Sequence, residues 1–434
     1  MKRINTHAIF PLLALFILIL ALSQQMFSVF PIGKVLNPFS GAVQNEDDRA
    51  LDATALSIGN MGLSGQVDIY FDKRKVPHIF AASSDDLFFA QGYVTAALRL
   101  WQMDFLSYAS AGRLSEIFKD GYVNYDRNQR RIGMLSAAKS SLDLIEKDPE
   151  TLKVVSAYTK GVNAYIKNLN YRTKPFEYKL LDYDPEPWTN LKTVLLMKYV
   201  ANMLSGYEED FNMSNLMLTL GEEKFNKLFP DYTDHTAPMM PAHHQLAMQA
   251  APHITQPAYL DYSFFSSGTV VPKSDYNPQY GSNTWAVSGK KTKSGYPILC
   301  SDPHLALTLP SIWVEMQLSA PGINAYGISI PGTPALLIGF NQNIAWGISN
   351  GADDVKDWYK LKVTDDYTRY ELDGKWQDLH YTVEEIKRRG EQTVKDTIYQ
   401  TIFGPVVSDR HFSEWQPDRV NYALKWELHH PSNE

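Results

Sequence analysis

Apolar and polar residues alternate first along "QVDIYFDKRKVPHIFAAS", residues 66–83. This reads as two strands around a charged turn at Asp72–Lys75. The period then changes. Ser83–Asp86 offer helix-capping side chains. Leu87, Ala90, Val94, Leu98, Trp101 and Phe105 recur at three- and four-residue steps, which predicts a helix with one core-facing stripe. A second helix is predicted over "PETLKVVSAYTKGVNAYIKNL", with Val154, Val155, Tyr158, Val162, Tyr165 and Ile166 on one face. A third, "TNLKTVLLMKYVANML", is capped by Thr189. From about Phe229 to Tyr280 no period persists, and the stretch is rich in Pro, His, Ser and Tyr. Long irregular segments of this kind are functional or flexible rather than parts of a packed domain. After Gly281 the chain turns β-rich. "NTWAVSG" and "YPILCSD" flank "KKTKSG" as a hairpin with Gly295 in the turn. Strand-like runs follow in "SIWVEMQLSAPG", "NAYGISIPG", "ALLIGFNQNIAWGISNG" and "DWYKLKV", and Asp373–Gly374 marks another tight turn. Helices, an irregular spacer and then strands predict an α+β body.

Composition narrows this picture. The chain has 434 residues, 44% of them hydrophobic and 12% aromatic, enough for a large core. Its net charge of -7 and the lack of a Lys/Arg stripe exclude nucleic acid as a partner. The one cysteine, Cys300, excludes an internal disulfide framework and reads as a buried strand residue. At the N-terminus, Lys2 and Arg3 precede the uncharged run Ala8–Leu22. This reads as an export signal, which "QQMFSVFPIG" can extend into an anchor; residues 31–65 read as a linker. His243 and His244 read as solvated loop histidines.

The residue that carries chemistry is Ser282, in "QYGSNTWAVSG". No proton acceptor flanks it. If the Gly281–Ser282 bond is cut, Ser282 gains a free α-amine, which titrates near 7.7–8.0 and can serve as a base at neutral pH. Nucleophile and base then share one residue. Glycine leaves the carbonyl ahead of it open to attack by the serine hydroxyl, so the cut can be self-made. A conventional Ser-His-Asp site would want a G-x-S-x-G elbow, which the chain lacks.

The text around Ser282, "GSNTWAVSGKKTKSGYPILCSDPHLALTLPSIWVEMQLSAPGINAYGISIPGTPALLIGFNQNIAWGISNGADDVKDWY", resembles the penicillin acylase family of N-terminal nucleophile hydrolases. "VPHIFAASSDDLFFAQGYVTAALRLWQMDFLSYASAGRLSE" and "DYDPEPWT" are similar to further segments of that family. The resemblance implies an αββα four-layer sandwich, incomplete in this chain, which would be the N-terminal part of a longer precursor. It implies a signal peptide or anchor in 1–30 and a mainly helical small subunit in 66–229. A spacer would occupy 230–281, and the start of a β-rich large subunit 282–434. It implies amide hydrolysis through an acyl-enzyme on Ser282, with self-association of the two processed subunits and a small-molecule amide as substrate. An inactive member acting as an envelope binding protein is the alternative. The protein would be exported, either periplasmic or anchored facing outward.

Residue by residue, the resemblance implies Ser282 as nucleophile and the Asn350 backbone N–H as one oxyanion donor. A second donor, an asparagine, would lie beyond the chain. It implies His304 in contact with the α-amine or hydroxyl, and an acyl pocket lined by Leu305, Leu204 and Val200. One structural calcium ion would take Asp354, Asp357, the Lys356 carbonyl and Asp210, with Glu209 close behind Asp210 and Asp353 on a non-ligand position. No organic cofactor is implied.

Overall fold

A computed structural model of the chain describes residues 6–23, 33, 36–37, 39, 55–58, 62–118, 121–205, 209–230, 281–351, 354–412 and 420–432. Most of the predicted linker, residues 231–280 of the predicted spacer, with the His243–His244 pair, and Asp353 lie outside these residues, as does the side chain of Glu209.

The predicted strand pair forms β2 (Val67–Phe71) and β3 (Pro77–Ala81), antiparallel, with β1 (Ala55–Ile58) added outside β2. Strand alternation turns Val67, Ile69 and Phe71 inward. The first predicted helix is α2 (Ser84–Ala111), whose N-cap Ser83 accepts from the Asp86 N–H. Leu87, Ala90 and Val94 are buried as expected. Beyond them the stripe shifts. Arg99 has non-helical angles (φ -145°, ψ 16°). This kink rotates the second half, so Leu100 and Met103 are buried while Leu98, Trp101 and Phe105 are only half-buried.

Two helices not named from the sequence follow, α3 (Val123–Arg131) and α4 (Met134–Ile145), although the buried Met134, Ala137, Ala138, Ser141 and Ile145 of α4 recur at helical spacing. Then come the predicted α5 (Pro149–Asn168), α6 (Phe176–Leu181) and the predicted α7 (Asn190–Ser205). The Thr189 hydroxyl accepts from the Lys192 N–H at 3.3 Å, as a cap should. α8 (Glu209–Leu220) and α9 (Glu222–Leu228) complete the helical half.

The strands after Gly281 build two sheets. β6 (Val314–Ala320), β7 (Ile323–Ser329), β8 (Ile338–Asn341) and β9 (Ala345–Trp346) extend the first, in the order β1-β2-β3-β6-β7-β8-β9. Its β3–β6 pair is parallel, with His78 opposite Gln317. The 66–229 half is therefore sewn into the same sheet as the half after 281. Val314, Met316 and Leu318 of β6 share one core with Ile69, Ile79, Leu87, Phe89 and Val94. The second sheet orders β10 (Lys356–Lys360), β16 (Tyr422–Trp426), β15 (Gly404–Ser408), β14 (Glu391–Thr401) and β13 (His380–Arg388). Its Val407, Leu424 and Trp426 pack on Met134 and Ala137 of α4. Asp373 (φ 49°) and Gly374 (φ 74°) make the predicted turn of a separate hairpin, β11 (Arg369–Leu372) with β12 (Lys375–Asp378). The chain is α+β, as the sequence predicts, and each sheet packs against helices.

The predicted N-terminal segment forms α1 (Thr6–Ser23), with Phe10, Leu12 and Phe16 exposed at 77%, 65% and 59%. Among the described residues no helix is long and apolar enough to cross a membrane.

Candidate active site

Ser282 is the second residue of β4 (Gly281–Val287), which pairs antiparallel with β5 (Ile298–His304) as a two-stranded hairpin. The predicted turn residue Gly295 has φ 74°. Cys300 sits on β5 opposite Trp285, half-buried rather than fully buried, because much of the hairpin surface stays open among the described residues. Trp285 and Ile298 are 52% and 46% exposed.

The register sorts the hairpin's side chains onto two faces. Gly281 lies opposite His304, Ser282 opposite Pro303, Asn283 opposite Asp302 and Thr284 opposite Ser301. Alternation puts Ser282, Thr284 and Ser301 on one face, and Gly281, Asn283, Asp302 and His304 on the other. The segment after β9 meets the serine face at its far end. The Thr284 and Ser301 hydroxyls each donate to the Ile348 carbonyl, at 3.4 Å. Only glycine fits at 347, because a Cβ there would sit 2.5 Å from Ser301 Oγ. Asn350 lies two residues past Ile348, and its side-chain Nδ2 donates to the Leu204 carbonyl at 2.8 Å. The C-terminal end of α7 is thereby tied to the loop that meets the face of Ser282. Val200 lies one turn back on α7 and, like Leu204, is half-buried. Leu305 follows β5 directly; its N–H donates to the Pro303 carbonyl at 3.2 Å.

Of the predicted residues, Ser282, Asn350 and Leu204 are therefore brought into one neighbourhood, with Leu305 leaving the same hairpin. His304 belongs to that hairpin, but its ring is on the Gly281 face. Its Nε2 donates to Asp302 Oδ2 at 3.0 Å. Asp302 is the functional candidate that sequence reasoning passed over, although two-residue spacing on a strand would have put it beside His304.

The predicted cation donors are less gathered. Asp354 and Asp357 are exposed, Asp210 is half-buried on α8, and the buried Lys356 lays its Nζ 4.6 Å over the Trp426 ring. Among the described residues no three His, Cys, Asp or Glu side chains converge into a metal-sized cluster. These donors do not by themselves close a cation site. A surface hollow of about 410 Å³, lined by Phe89, Lys160, Asn163 and Lys167 among others, shares no residue with the hairpin.

Residues 66–434 match the sequence profile of penicillin amidase. The chain belongs to the penicillin amidase family. Membership assigns it the N-terminal nucleophile hydrolase fold expected from its sequence. An acyl-homoserine lactone acylase, QuiP of Pseudomonas aeruginosa, is 28% identical over 368 residues, 83% of this chain and 43% of that protein. A penicillin acylase 2 proenzyme of Pseudomonas sp. SE83 is 25% identical over 83% of this chain and 46% of its own length. This family member thus spans less than half the length of the curated relatives it matches. The solved thermostable penicillin G acylase of Alcaligenes faecalis aligns at 26% identity. It covers 40% of this chain and 94% of that one, with a TM-score of 0.34, too low to compare folds.

Proposed function

We propose that this chain belongs to an acylase precursor that cuts itself between Gly281 and Ser282 and then hydrolyses amides of hydrophobic acids. One observation carries the reading. Ser282 is the second residue of a strand whose serine face is bonded to the 347–350 loop through Thr284, and that loop is tied to α7 by the Asn350–Leu204 hydrogen bond.

In this reaction the freed α-amine takes the proton of Ser282 Oγ as the oxygen attacks the amide carbon. The Asn350 N–H stabilises the oxyanion, a role for a preorganised backbone donor. The C–N bond breaks, the leaving amine takes the proton, and the acyl group stays on Oγ as an ester. Water adds to the ester and releases the acid. The acyl pocket is assigned to Val200, Leu204 and Leu305, whose apolar side chains suit a hydrophobic acyl group. The names of the relatives suggest two amide classes as substrates, acyl-homoserine lactones and penicillins. The two products of self-cleavage are expected to stay associated, because β3 and β6 share a sheet.

Three further parts belong to the proposal. The basic Lys2–Arg3 and the apolar α1 support export to the periplasm or outer face, with α1 either cleaved or kept as an anchor. One structural calcium ion is assigned to Asp354, Asp357, Asp210 and the Lys356 carbonyl on donor chemistry alone, since all are oxygen ligands. Chelator should then lower the melting temperature, and added calcium restore it. The decisive experiment is mass spectrometry of the protein expressed from its gene. A large fragment beginning at Ser282, absent in Ser282→Ala, is expected. A stable uncut chain, or a fragment beginning elsewhere, sinks the reading.

A further inference from the structure

The Gly281 face of the hairpin holds a pair that the reaction above does not use. Asp302 and His304 lie two positions apart on β5, and His304 Nε2 is 3.0 Å from Asp302 Oδ2. A carboxylate only accepts, so this bond keeps a proton on Nε2. Which ring nitrogen is protonated is set by the bond its other nitrogen makes, and Nδ1 is therefore left as the nitrogen free to exchange a proton. Nδ1 also lies toward Gly281, the residue before the cleavage junction. It lies 3.9 Å from the place a side chain would occupy at Gly281, and among the described residues, chain neighbours aside, is the only atom within 4 Å of it. Gly281 is the ladder partner of His304.

This geometry matters most before the chain is cut. The nitrogen of Ser282 is then an amide and cannot act as a base. The leaving group of self-cleavage is that same nitrogen, which must gain a proton as its bond to Gly281 breaks. We propose that Asp302 is a positioning residue for self-cleavage. It holds His304 with Nε2 toward the carboxylate, so that Nδ1 delivers a proton to the Ser282 nitrogen. The inference rests on the reading of Ser282 as a self-cleaving nucleophile.

The step balances with water as the only co-reactant. Ser282 Oγ gives its proton to water on its own face and bonds to the Gly281 carbonyl carbon. His304, with one proton on Nε2, takes a second from water at Nδ1 and passes it to the Ser282 nitrogen. The C–N bond breaks with its electron pair going to nitrogen. The result is an ester between Gly281 and Oγ, a free amine, and a neutral ring still bonded to Asp302 through Nε2. Water then adds to the ester carbon and the C–Oγ bond breaks. Gly281 leaves as a carboxylic acid, and Ser282 regains its hydroxyl.

The test follows cleavage over time by gel and mass spectrometry in the protein expressed from its gene. Asp302→Asn, whose amide no longer dictates the tautomer, should slow cleavage about ten-fold or more, the scale typical for partners that orient a working histidine. His304→Gln should slow it at least as much, and Asp302→Glu should recover most of the rate. A second readout is nitrogen NMR of ¹⁵N-histidine-labelled protein in the uncut Ser282→Ala background. His304 should carry its proton on Nε2 there and lose that preference when Asp302→Asn is added. Cleavage of Asp302→Asn at the wild-type rate overturns the inference and leaves the Ser282 reading standing. So does an Asp302→Glu no faster than Asp302→Asn, or a neutral His304 whose single proton sits on Nδ1 instead of Nε2. If Asp302→Asn fails to fold, the tautomer in Ser282→Ala alone decides. A wild-type fragment that does not begin at Ser282 overturns both readings.

Discussion

At Asn350 two roles meet in one residue and can be separated by mutation. The side chain ties its loop to the Leu204 carbonyl, while the proposed chemistry uses only the backbone N–H. Asn350→Ala removes the tie and keeps the donor; Asn350→Pro removes the donor. If the N–H stabilises the oxyanion, kcat for the Pro variant falls about 10²–10³-fold, as for loss of one such donor elsewhere. The Ala variant should lose much less. Steady-state kinetics on fully processed protein decides, and equal losses in both would move the oxyanion role elsewhere. A second residue-scale expectation concerns pH. His429 donates from Nε2 to the Ile132 carbonyl at 2.8 Å, under the junction of α3 and α4. Burial pushes its imidazole below the ordinary 6.5. The bond to Ile132 opposes this, and the charges of Lys198, His430 and Lys356 act with burial. The ring is therefore held neutral in the fold, whereas the unfolded chain protonates it as pH falls through 6.5. The unfolded state then binds more protons, so this contribution is complete above about pH 6.5 and lost as pH falls below it toward the folded value. Melting temperature measured against pH should drop below that point, and His429→Gln should flatten the drop.

At the scale of elements, the crossing of α2 and α5 is the tightest contact in the helical half. A Cβ at Gly161 would lie 1.8 Å from the Phe89 carbonyl oxygen, and one at Gly92 would lie 2.2 Å from that of Tyr158. The two helices meet backbone to backbone, which no larger residue permits. Helix propensity alone makes Gly→Ala favourable by about 1 kcal/mol in a helix interior. The crossing predicts the opposite sign: Gly161→Ala should destabilise by about 1–3 kcal/mol, the scale of overpacking. Denaturant unfolding of Gly161→Ala beside the exposed control Lys160→Ala separates the two. These helices were legible in the sequence because their buried faces are apolar and repeat at helical spacing. The same logic explains what was not legible. α3 reads as "VNYDRNQRR", with no apolar stripe, because its buried side chains Asp126, Gln129 and Arg131 are polar; Asp126 takes the Leu114 and Ser115 N–H groups and Arg131 reaches distant Asp396 and Asp409. The kink at Arg99 likewise leaves no trace in periodicity, and it moved the core stripe of α2. At the candidate site, Ser282 and His304 were legible as motif positions. Their placement on opposite faces, and the bond to Asp302, needed the register of β4 and β5.

At the scale of the whole molecule, two of the devices that join the half before residue 230 to the half after 281 stand out. One is the β3–β6 pair. The other is a buried ion cluster. Arg131 of α3 grips Asp396 of β14 with Nε and Nη2, both at 2.7 Å, and reaches Asp409 with Nη1 at 2.9 Å. Arg127 adds a third arm to Asp396 at 2.8 Å, and both guanidinium groups lie over the Phe412 ring. Arg131, Asp396 and Asp409 are at most 2% exposed. Burial alone would raise the Asp396 carboxyl, but hydrogen bonds and charge from Arg131 and Arg127 hold it below 3.8. Its contribution to stability is thus present above about pH 3.8 and lost as the medium becomes more acid. Removing one partner leaves buried charge uncompensated, which costs about 3–5 kcal/mol. Arg131→Met should therefore lower stability by about that amount. Arg131→Lys, which keeps the charge without the two-pronged fork, should fall between. The consequence grows if the chain is cut at Ser282, because the covalent link then no longer holds the halves together. In processed protein, Arg131→Met should release the fragment ending at Gly281 at denaturant concentrations where wild type stays associated, as read by gel filtration. Co-elution of both fragments up to the wild-type midpoint would mean that the shared sheet and the other contacts hold the halves without the ion cluster.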